Sequence, residues 1–342
     1  MLLAPIIAVA AAMVVSGILI ASAGVNPIQA FGTMIKAAVG SRSAFLETLL
    51  KVTPLIFTGL CAALAFRIKF WNIGGEGQLL LGAMAAAYVG TQTLPAWSYL
   101  PLMIAAGFLL GGLGALLPAW LRLKLNVNDT VSTLMLNFVI FFGMMALLSG
   151  PWKDPISGWS DSPDIVMNAE FPIIVERSRL HIGFLLAVGS AVVLWLVSTR
   201  TTFGMAMKAI GENPRAAHHA GFSVSKIFLV TALLSGGLAG LAGVCEVGGV
   251  QFQVISTISP GYGYAGLVVA TLARLHPGEI ILSAMFLGAI MTGADEMSRQ
   301  TGIPATLADV VQGVSLLAML IALVFTRYRL RLRASNKKVE AL

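Results

Sequence analysis

The sequence predicts an all-α polytopic membrane protein, and three observations support this class. Apolar residues make up 57% of the 342 residues and charged residues only 11%, whereas soluble domains carry about 25% charged residues. The mean hydropathy is +0.88. A soluble globule of this composition would expose large apolar patches. The composition therefore excludes a soluble enzyme, a nucleic-acid-binding protein and a disordered chain.

Ten segments are apolar enough to be candidate spans, since a helix needs about 20 mostly apolar residues to cross a bilayer. They are residues 3–22, 48–66, 76–95, 99–121, 130–149, 181–198, 227–247, 262–274, 278–295 and 307–326. The eighth segment is too short to cross alone and follows Ser259, Pro260 and Gly261. We expect a broken or re-entrant segment there, which is tolerated only where its backbone is buried in protein. Together the segments predict a single transmembrane domain over residues 1–342.

The distribution of basic residues predicts the orientation. When the C-terminal tail is placed in the cytoplasm and the sides alternate, 15 of the 22 Lys and Arg residues fall inside and 7 fall outside. This asymmetry is the one that cytoplasmic loops of membrane proteins show. We therefore expect both termini to be cytoplasmic and an acidic segment, residues 150–180, to lie outside. The formal net charge of +7 is explained by the same asymmetry and requires no nucleic acid.

The first span has an alternative interpretation. Ala21, Ser22 and Ala23 resemble a signal-peptidase site after an apolar stretch. A signal peptide also needs a basic region before its apolar stretch, and no basic residue precedes Lys36. The sequence favours an uncleaved first helix.

Small residues should mediate helix packing, because lipid provides no hydrophobic drive for helices to associate. Gly107 and Gly111 are four residues apart, as are Gly236 and Gly240. We predict that both pairs form packing faces.

Residues 199–226 form a connection that carries ordered helix signals. Asn213 is a favoured N-cap residue, Pro214 suits the first helical position, and Gly221 suits the position after a helix ends. The pattern predicts a helix of about two turns, about 10 Å long, over residues 214–220. Ala216, Ala217 and Ala220 would give it a face of small side chains.

Two functions fit this short helix. It can dock into a groove on a partner protein, or it can lie at the lipid headgroups as an interfacial helix. Its basic residues favour the interfacial position, whereas its weak apolar face does not. His218 and His219 are adjacent, so they point about 100° apart on a helix and do not predict a metal site.

Residues 71–78, with the sequence WNIGGEGQ, are the second unusual connection. One interpretation is a capped helix start at which the helix dipole favours Glu76. The other is a broken helix whose polar groups, including Asn72, Glu76 and Gln78, line a substrate path. Asn137 lies near the middle of a span, so we expect it either to line the substrate path or to form an interhelical hydrogen bond.

Most of the remaining polar residues within the spans are expected to lie near the outer span ends in contact with solvent. They are Glu246, Gln251, Gln253, Asp295, Glu296 and Asp309.

The sequence lacks the common catalytic motifs. No Gly is followed by Lys, so there is no phosphate-binding P-loop, and the HExxH, GxSxG and CxxC patterns are missing. Cys61 and Cys245 lie in apolar stretches and are predicted to be small buried side chains rather than a disulfide or metal ligands. We expect a protein that is not an enzyme and that binds no cofactor or metal.

Three stretches resemble ABC-importer permeases of the branched-chain amino acid/ribose type. They are residues 47–83, residues 209–247 and YAGLVVATLARLHPGEI at residues 264–280. Within that family, NIGGEGQ and GENPRAA resemble the nucleoside and simple-sugar subgroup. The resemblance covers roughly residues 40–325. Family members usually carry basic residues before the first span, and this sequence does not. His218 and His219 also depart from the basic and aromatic residues expected there.

The resemblance implies that residues 199–226 hold a coupling helix, which sits in a cleft of a cytosolic ATPase. The residues that match this motif are Gly211, Glu212, Asn213, Pro214, Ala216, Ala217 and Gly221.

The resemblance also implies the partners and the function. The partners would be a cytosolic ABC ATPase with two fused nucleotide-binding halves, a second related permease and an extracytoplasmic binding protein of the basic-membrane-lipoprotein type. The expected function is import of nucleosides or related sugars across the bacterial cytoplasmic membrane by alternating access, with ATP bound by the partner. The alternatives are import of a simple sugar or a branched-chain amino acid within the same family, a stand-alone ion-coupled carrier, and a structural or signalling membrane protein.

Overall fold

The computed structural model describes residues 3–302 and 304–327, which are mainly helical. Within these ranges there are 13 α-helices and no β-strand, and the isolated bridge between Ile173 and His181 is the only β-type pairing. The helices are α1 Leu3–Ser22, α2 Pro27–Val39, α3 Arg42–Arg67, α4 Gly75–Gly90, α5 Tyr99–Leu125, α6 Asp129–Ser149, α7 Gly183–Arg200, α8 Thr202–Glu212, α9 Pro214–His219, α10 Val224–Glu246, α11 Tyr262–Leu272, α12 Pro277–Thr301 and α13 Ala305–Arg327.

The helices are those of a multi-pass membrane protein. Among the described residues, six helices are long and apolar enough to cross a membrane: α3, α5, α6, α7, α10 and α12. A seventh crossing would need the end of α1 and all of α2, which are bent by 115° relative to each other. Each of the ten predicted spans coincides with a helix. Of the four that are not among these six, α4 and α11 have only 16 and 11 residues, and α1 and α13 are described only in part. Ten crossings therefore stay a prediction.

The core of the bundle is built around α3. Of its most apolar stretch 83% is buried, against 22% for α7. Helix α3 packs against α10, α11 and α12, and Phe57 and Leu60 are fully buried within this core. The exposed apolar residues of α6 and α7, such as Phe142 and Val193, suit contact with lipid.

Glycines bring α4, α5 and α10 into backbone contact, as the sequence predicted. A β-carbon on Gly236 would collide with the carbonyl oxygen of Gly111, and one on Gly240 would collide with that of Gly107. On the other side of α10, a β-carbon on Gly243 would collide with the carbonyl oxygen of Leu79 in α4. The prediction of two glycine packing faces is confirmed.

The structure adds elements that the sequence interpretation placed in loops. Helix α2 begins at Pro27, where the Asn26 side chain accepts a hydrogen bond from the Ile28 N–H at 2.9 Å. Helix α4 ends at Gly90, so it spans only 16 residues. Beyond α10 the chain forms a π-helical turn, Val247–Gln251, before an irregular stretch leads to the short α11.

The α8–α9 segment and the start of α3 lie at opposite ends of the bundle. Helix α3 has 26 residues, so it is about 39 Å long. Its C-terminal residue, Arg67, lies against Gly211 of α8, and α10 starts just after α9. The ends opposite to these, at Arg42 of α3 and Glu246 of α10, therefore mark the other side of the bundle.

Candidate functional site

The short helix predicted in residues 199–226 is present and is capped by the residue that the sequence indicated. The Asn213 side chain accepts hydrogen bonds from the N–H groups of Arg215 at 3.0 Å and Ala216 at 3.2 Å. Helix α9 then runs from Pro214 to His219, and Gly221 adopts φ +87° just beyond it. A positive φ is readily adopted only by glycine, which explains Gly221 at this turn.

The motif residues of this segment face two directions. Gly211 and Ala217 are buried, and a β-carbon at Gly211 would collide with the carbonyl oxygen of Arg67. These two residues hold the segment against the bundle. The exposed members of the motif, which are available to another protein, are Glu212, Asn213, Pro214, Ala216 and Gly221.

The residues at the start of α4 fall into two separate groups. In the first, Asn72 and Gln78 are each 1% exposed and bond to each other at 2.9 and 3.0 Å. Asn72 also donates to Ser235 Oγ at 3.1 Å, and Ser235 donates to the carbonyl of Cys61 at 2.8 Å. This network joins α3, α4 and α10 at the start of α4. Both cysteines are free and buried, as predicted.

The second group borders a cavity. Glu76 accepts a hydrogen bond from the Gly263 N–H at 2.7 Å. The Asn137 side chain accepts from the Gly77 N–H at 2.9 Å and donates to the Tyr264 hydroxyl at 3.3 Å. Glu76, Asn137 and Tyr264 line a cavity of about 270 Å³ between α4, α6 and α11. Asn137 therefore makes an interhelical hydrogen bond and also lies beside an internal space.

A larger cavity of about 770 Å³ lies at the end of the bundle opposite to α8 and α9. Its lining carries four basic and four acidic side chains from α2, α3, α10, α12 and the 150–182 connection. Three ion pairs connect these side chains: Lys51 with Asp295, Arg179 with Glu47 at 4.0 Å, and Arg299 with Glu296 at 2.6 Å. The lining residues come from five distant parts of the chain, so local sequence patterns do not indicate this cavity.

Glu246 is an exception to the solvent contact expected for most polar residues at the outer span ends. It is only 4% exposed and forms part of the wall of the larger cavity. The π-helical turn that follows it packs against Phe171 of the 150–182 connection at Gly248. The signal that could have identified it is an acidic residue at the end of a long, glycine-rich apolar span.

The 150–182 connection is fixed to the bundle by backbone hydrogen bonds. The Phe171 N–H donates to the Gly248 carbonyl at 2.7 Å, and the Ile165 N–H donates to the Phe252 carbonyl at 2.8 Å. His181, two residues before α7, is 1% exposed, and its Nδ1 accepts from the Gly183 N–H at 3.1 Å. Burial, with a smaller effect from the positive charge of Arg179, lowers the pKa of His181 to about 4.

Long apolar helices border internal polar cavities, and a capped segment is exposed at one end of the bundle. Residues 44–320 match the family described as the permease component of branched-chain amino acid transport systems. The chain belongs to this family of transport permeases, which are transport components rather than enzymes.

Relatives match nearly the whole chain. It is 32% identical to the glucose ABC transporter permease protein TsgB13 of Haloferax volcanii, over 95% of this chain and 88% of that protein. It is 30% identical to the guanosine ABC transporter permease protein NupP of Bacillus subtilis, over 96% and 94% of the two chains. The nucleoside ABC transporter permease protein NupB of Lactococcus lactis is 30% identical over 90% and 88%. No solved structure matches the chain.

Proposed function

We propose that this chain is the permease of an ABC importer whose substrate is a nucleoside or a related sugar. The similarity to permeases named for guanosine, nucleosides and glucose supports this substrate class. The observation that carries the mechanism is the capped α9 helix, which is exposed at one end of the bundle while Gly211 and Ala217 attach its segment to α3 and α10. A partner that moves α9 would therefore move the core helices.

In this proposal α9 is the coupling helix of the permease. Its exposed residues would sit in a cleft of a cytosolic ATPase. This ATPase would have two fused nucleotide-binding halves and would bind the ATP. The permease itself would need no cofactor. ATP binding would close the ATPase, and α9 would transmit that movement to the bundle. The bundle would then alternate between a conformation open to the outside and one open to the cytoplasm.

The proposed topology has ten crossings, a single domain over residues 1–342 and both termini in the cytoplasm of a bacterial cell. The excess of basic residues on the side of α8 and α9 supports this orientation. Labelling of single cysteines placed in α9 and in the 150–182 connection, from either side of intact vesicles, tests it. Accessibility of α9 from the outside would refute the orientation.

The proposed path includes Glu76 and Asn137, which line the cavity of about 270 Å³. Asn72 and Gln78 would support it indirectly, because their network fixes the start of α4. A second related permease would complete the path, and an extracytoplasmic binding protein would deliver substrate to the side of the 150–182 connection.

Reconstitution tests the function. Vesicles containing this chain with its ATPase, second permease and binding protein should accumulate radiolabelled guanosine or glucose. Accumulation should require ATP in the vesicle lumen, with the ATPase facing that lumen. Leucine, in the same assay, tests the branched-chain amino acid alternative. Uptake by this chain alone, driven by an ion gradient and indifferent to ATP, would overturn the proposal in favour of a secondary carrier.

A further inference from the structure

The larger cavity contains a buried acid that has no bonding partner. Glu246 lines the cavity and is 4% exposed, and no hydrogen bond or ion pair reaches its carboxyl group within the described residues. The basic side chains of Lys51 and Arg179 line the same cavity, but both are paired with other acids. A buried polar group without a partner is costly, so a group that is retained in this state suits a ligand.

A second polar group in the same wall is in a similar state. Thr292 of α12 lines the cavity, and its hydroxyl is buried without a hydrogen-bond partner in the part of the chain that the structure describes. In a helix, threonine usually bonds to the carbonyl one turn earlier, as Thr301 does with Met297 at 2.6 Å. The wall therefore offers hydrogen-bonding capacity that the protein itself does not use.

The charges of the cavity restrict the chemistry of its ligand. The four basic and four acidic side chains of the lining cancel formally. Three of the four basic groups are ion-paired, which disfavours an anionic ligand. No group of three His, Cys, Asp or Glu residues suitable for a metal ion occurs among the described residues, which disfavours a divalent cation. A neutral ligand rich in hydroxyl groups fits both restrictions.

The volume and the backbone around Glu246 agree with a small-molecule site. About 770 Å³ lies within the range of roughly 300–1,000 Å³ that ligand pockets occupy. The π-helical turn, Val247–Gln251, directly follows Glu246, and such turns often occur at functional sites.

We propose that this cavity is a binding site for a neutral vicinal diol, in which the two oxygens of the Glu246 carboxyl group form hydrogen bonds with adjacent hydroxyls of a ribose or hexose. A carboxyl group presents two acceptor oxygens side by side, which matches the spacing of two hydroxyls on neighbouring carbons. This inference rests on the proposed import function and adds to it the site and the chemical group that is recognised.

The test compares probes that differ by one hydroxyl. The reconstituted complex is assayed for ATP-dependent uptake of guanosine, whose ribose has a vicinal diol, and of 2′-deoxyguanosine, which has none. Glucose and 2-deoxyglucose, which both keep the 3,4-diol, test only whether a sugar is transported. Because the binding protein is the same throughout, any change in the preference between paired probes comes from the permease. The variants are Glu246→Ala, Glu246→Gln and Thr292→Val, with Asp309→Asn as a control that removes an exposed carboxylate of α13 outside the cavity.

We expect Glu246→Ala to raise the KM for the hydroxylated probe at least about tenfold, since it removes both hydrogen bonds to the diol. The deoxy probe should change much less, so the preference between them should fall. Glu246→Gln should be intermediate, because the amide keeps one acceptor. The melting temperature of Glu246→Ala should stay level or rise, since an unpartnered buried acid is removed.

Two results would overturn the inference. If Glu246→Ala slows both probes equally, or lowers the melting temperature with no change in preference, Glu246 has only a structural role. If the preference changes equally in Asp309→Asn, the effect is not specific to the cavity. Wild-type complex that transports none of the four probes would instead refute the proposed function, and the diol site would be refuted with it.

Discussion

Replacement of Asn213 with Ala removes the cap of α9 and changes little else. The Asn213 side chain accepts hydrogen bonds from the Arg215 and Ala216 N–H groups at 3.0 and 3.2 Å. It is exposed, so its truncation leaves no cavity. Without the cap, both N–H groups must bond to water, which competes with the helix at its first turn.

The size of the effect follows from the length of the helix. Loss of an Asn cap costs about 0.5–2 kcal/mol. Helix α9 has only six residues, and so short a helix is not stable by its own propensity. The loss should therefore lower the helical population of α9 by a factor of about 2 to 30. Membrane insertion and the amount of protein should be unchanged, because the spans do not depend on this cap.

The assay is the affinity of the purified permease for its ATPase, together with ATP-dependent uptake. Asn213→Ala should weaken both, and Asn213→Ser, which keeps a capping oxygen, should restore most of the loss. Asn26→Ala is the matched control, since it removes the cap of α2 at the opposite end of the bundle. Unchanged affinity and uptake in Asn213→Ala, or an equal loss in Asn26→Ala, would refute the coupling role of α9.

Two further predictions concern the body of the protein. Gly240→Leu should abolish the monodisperse peak in size-exclusion chromatography, because the leucine side chain would collide with the α5 backbone. The control Gly143→Leu should be tolerated, because no atom lies within 4 Å of the β-carbon position of Gly143. Equal elution profiles for the two variants would refute the packing argument. His181 has a lowered pKa of about 4 against about 6.5 when unfolded, so below pH 6.5 the unfolded state binds a proton that the folded state does not. Stability should therefore fall as the pH decreases from 6.5 to 4, by up to about 3 kcal/mol. His181→Asn keeps a hydrogen-bond acceptor and should reduce the pH dependence of the melting temperature, whereas the exposed control His219→Asn should not. If the melting temperature of His181→Asn falls with pH as steeply as that of the wild type, His181 is not the group responsible.

The sequence was sufficient to locate the long helices of the bundle and the cap of α9. Long apolar runs and local capping residues are short-range signals, and each of them depends on only a few neighbouring residues. The packing faces formed by the glycine pairs could also be predicted, because a spacing of four residues places Gly236 and Gly240 on one face of a helix.

The two polar groupings were not predictable, because they depend on which helices become neighbours. The bond between Asn72 and Ser235 joins residues 163 positions apart. Glu246 resembled other acids at span ends, and only the packing of the 150–182 connection over the π-helical turn shows that it is enclosed. Helix α2 was missed because Gln29 and Lys36 interrupt its apolar pattern.

The contact between the α4, α5 and α10 backbones limits how this molecule can change shape. Where the main chains are in contact, no side chains lie between them that could repack, so these three helices must move as one rigid body. Motion has to be absorbed by the irregular stretches that flank the rigid body, at residues 68–74 and 252–261. Spin labels placed within the rigid body should therefore report constant separations throughout the transport cycle, while separations from the rigid body to α12 vary.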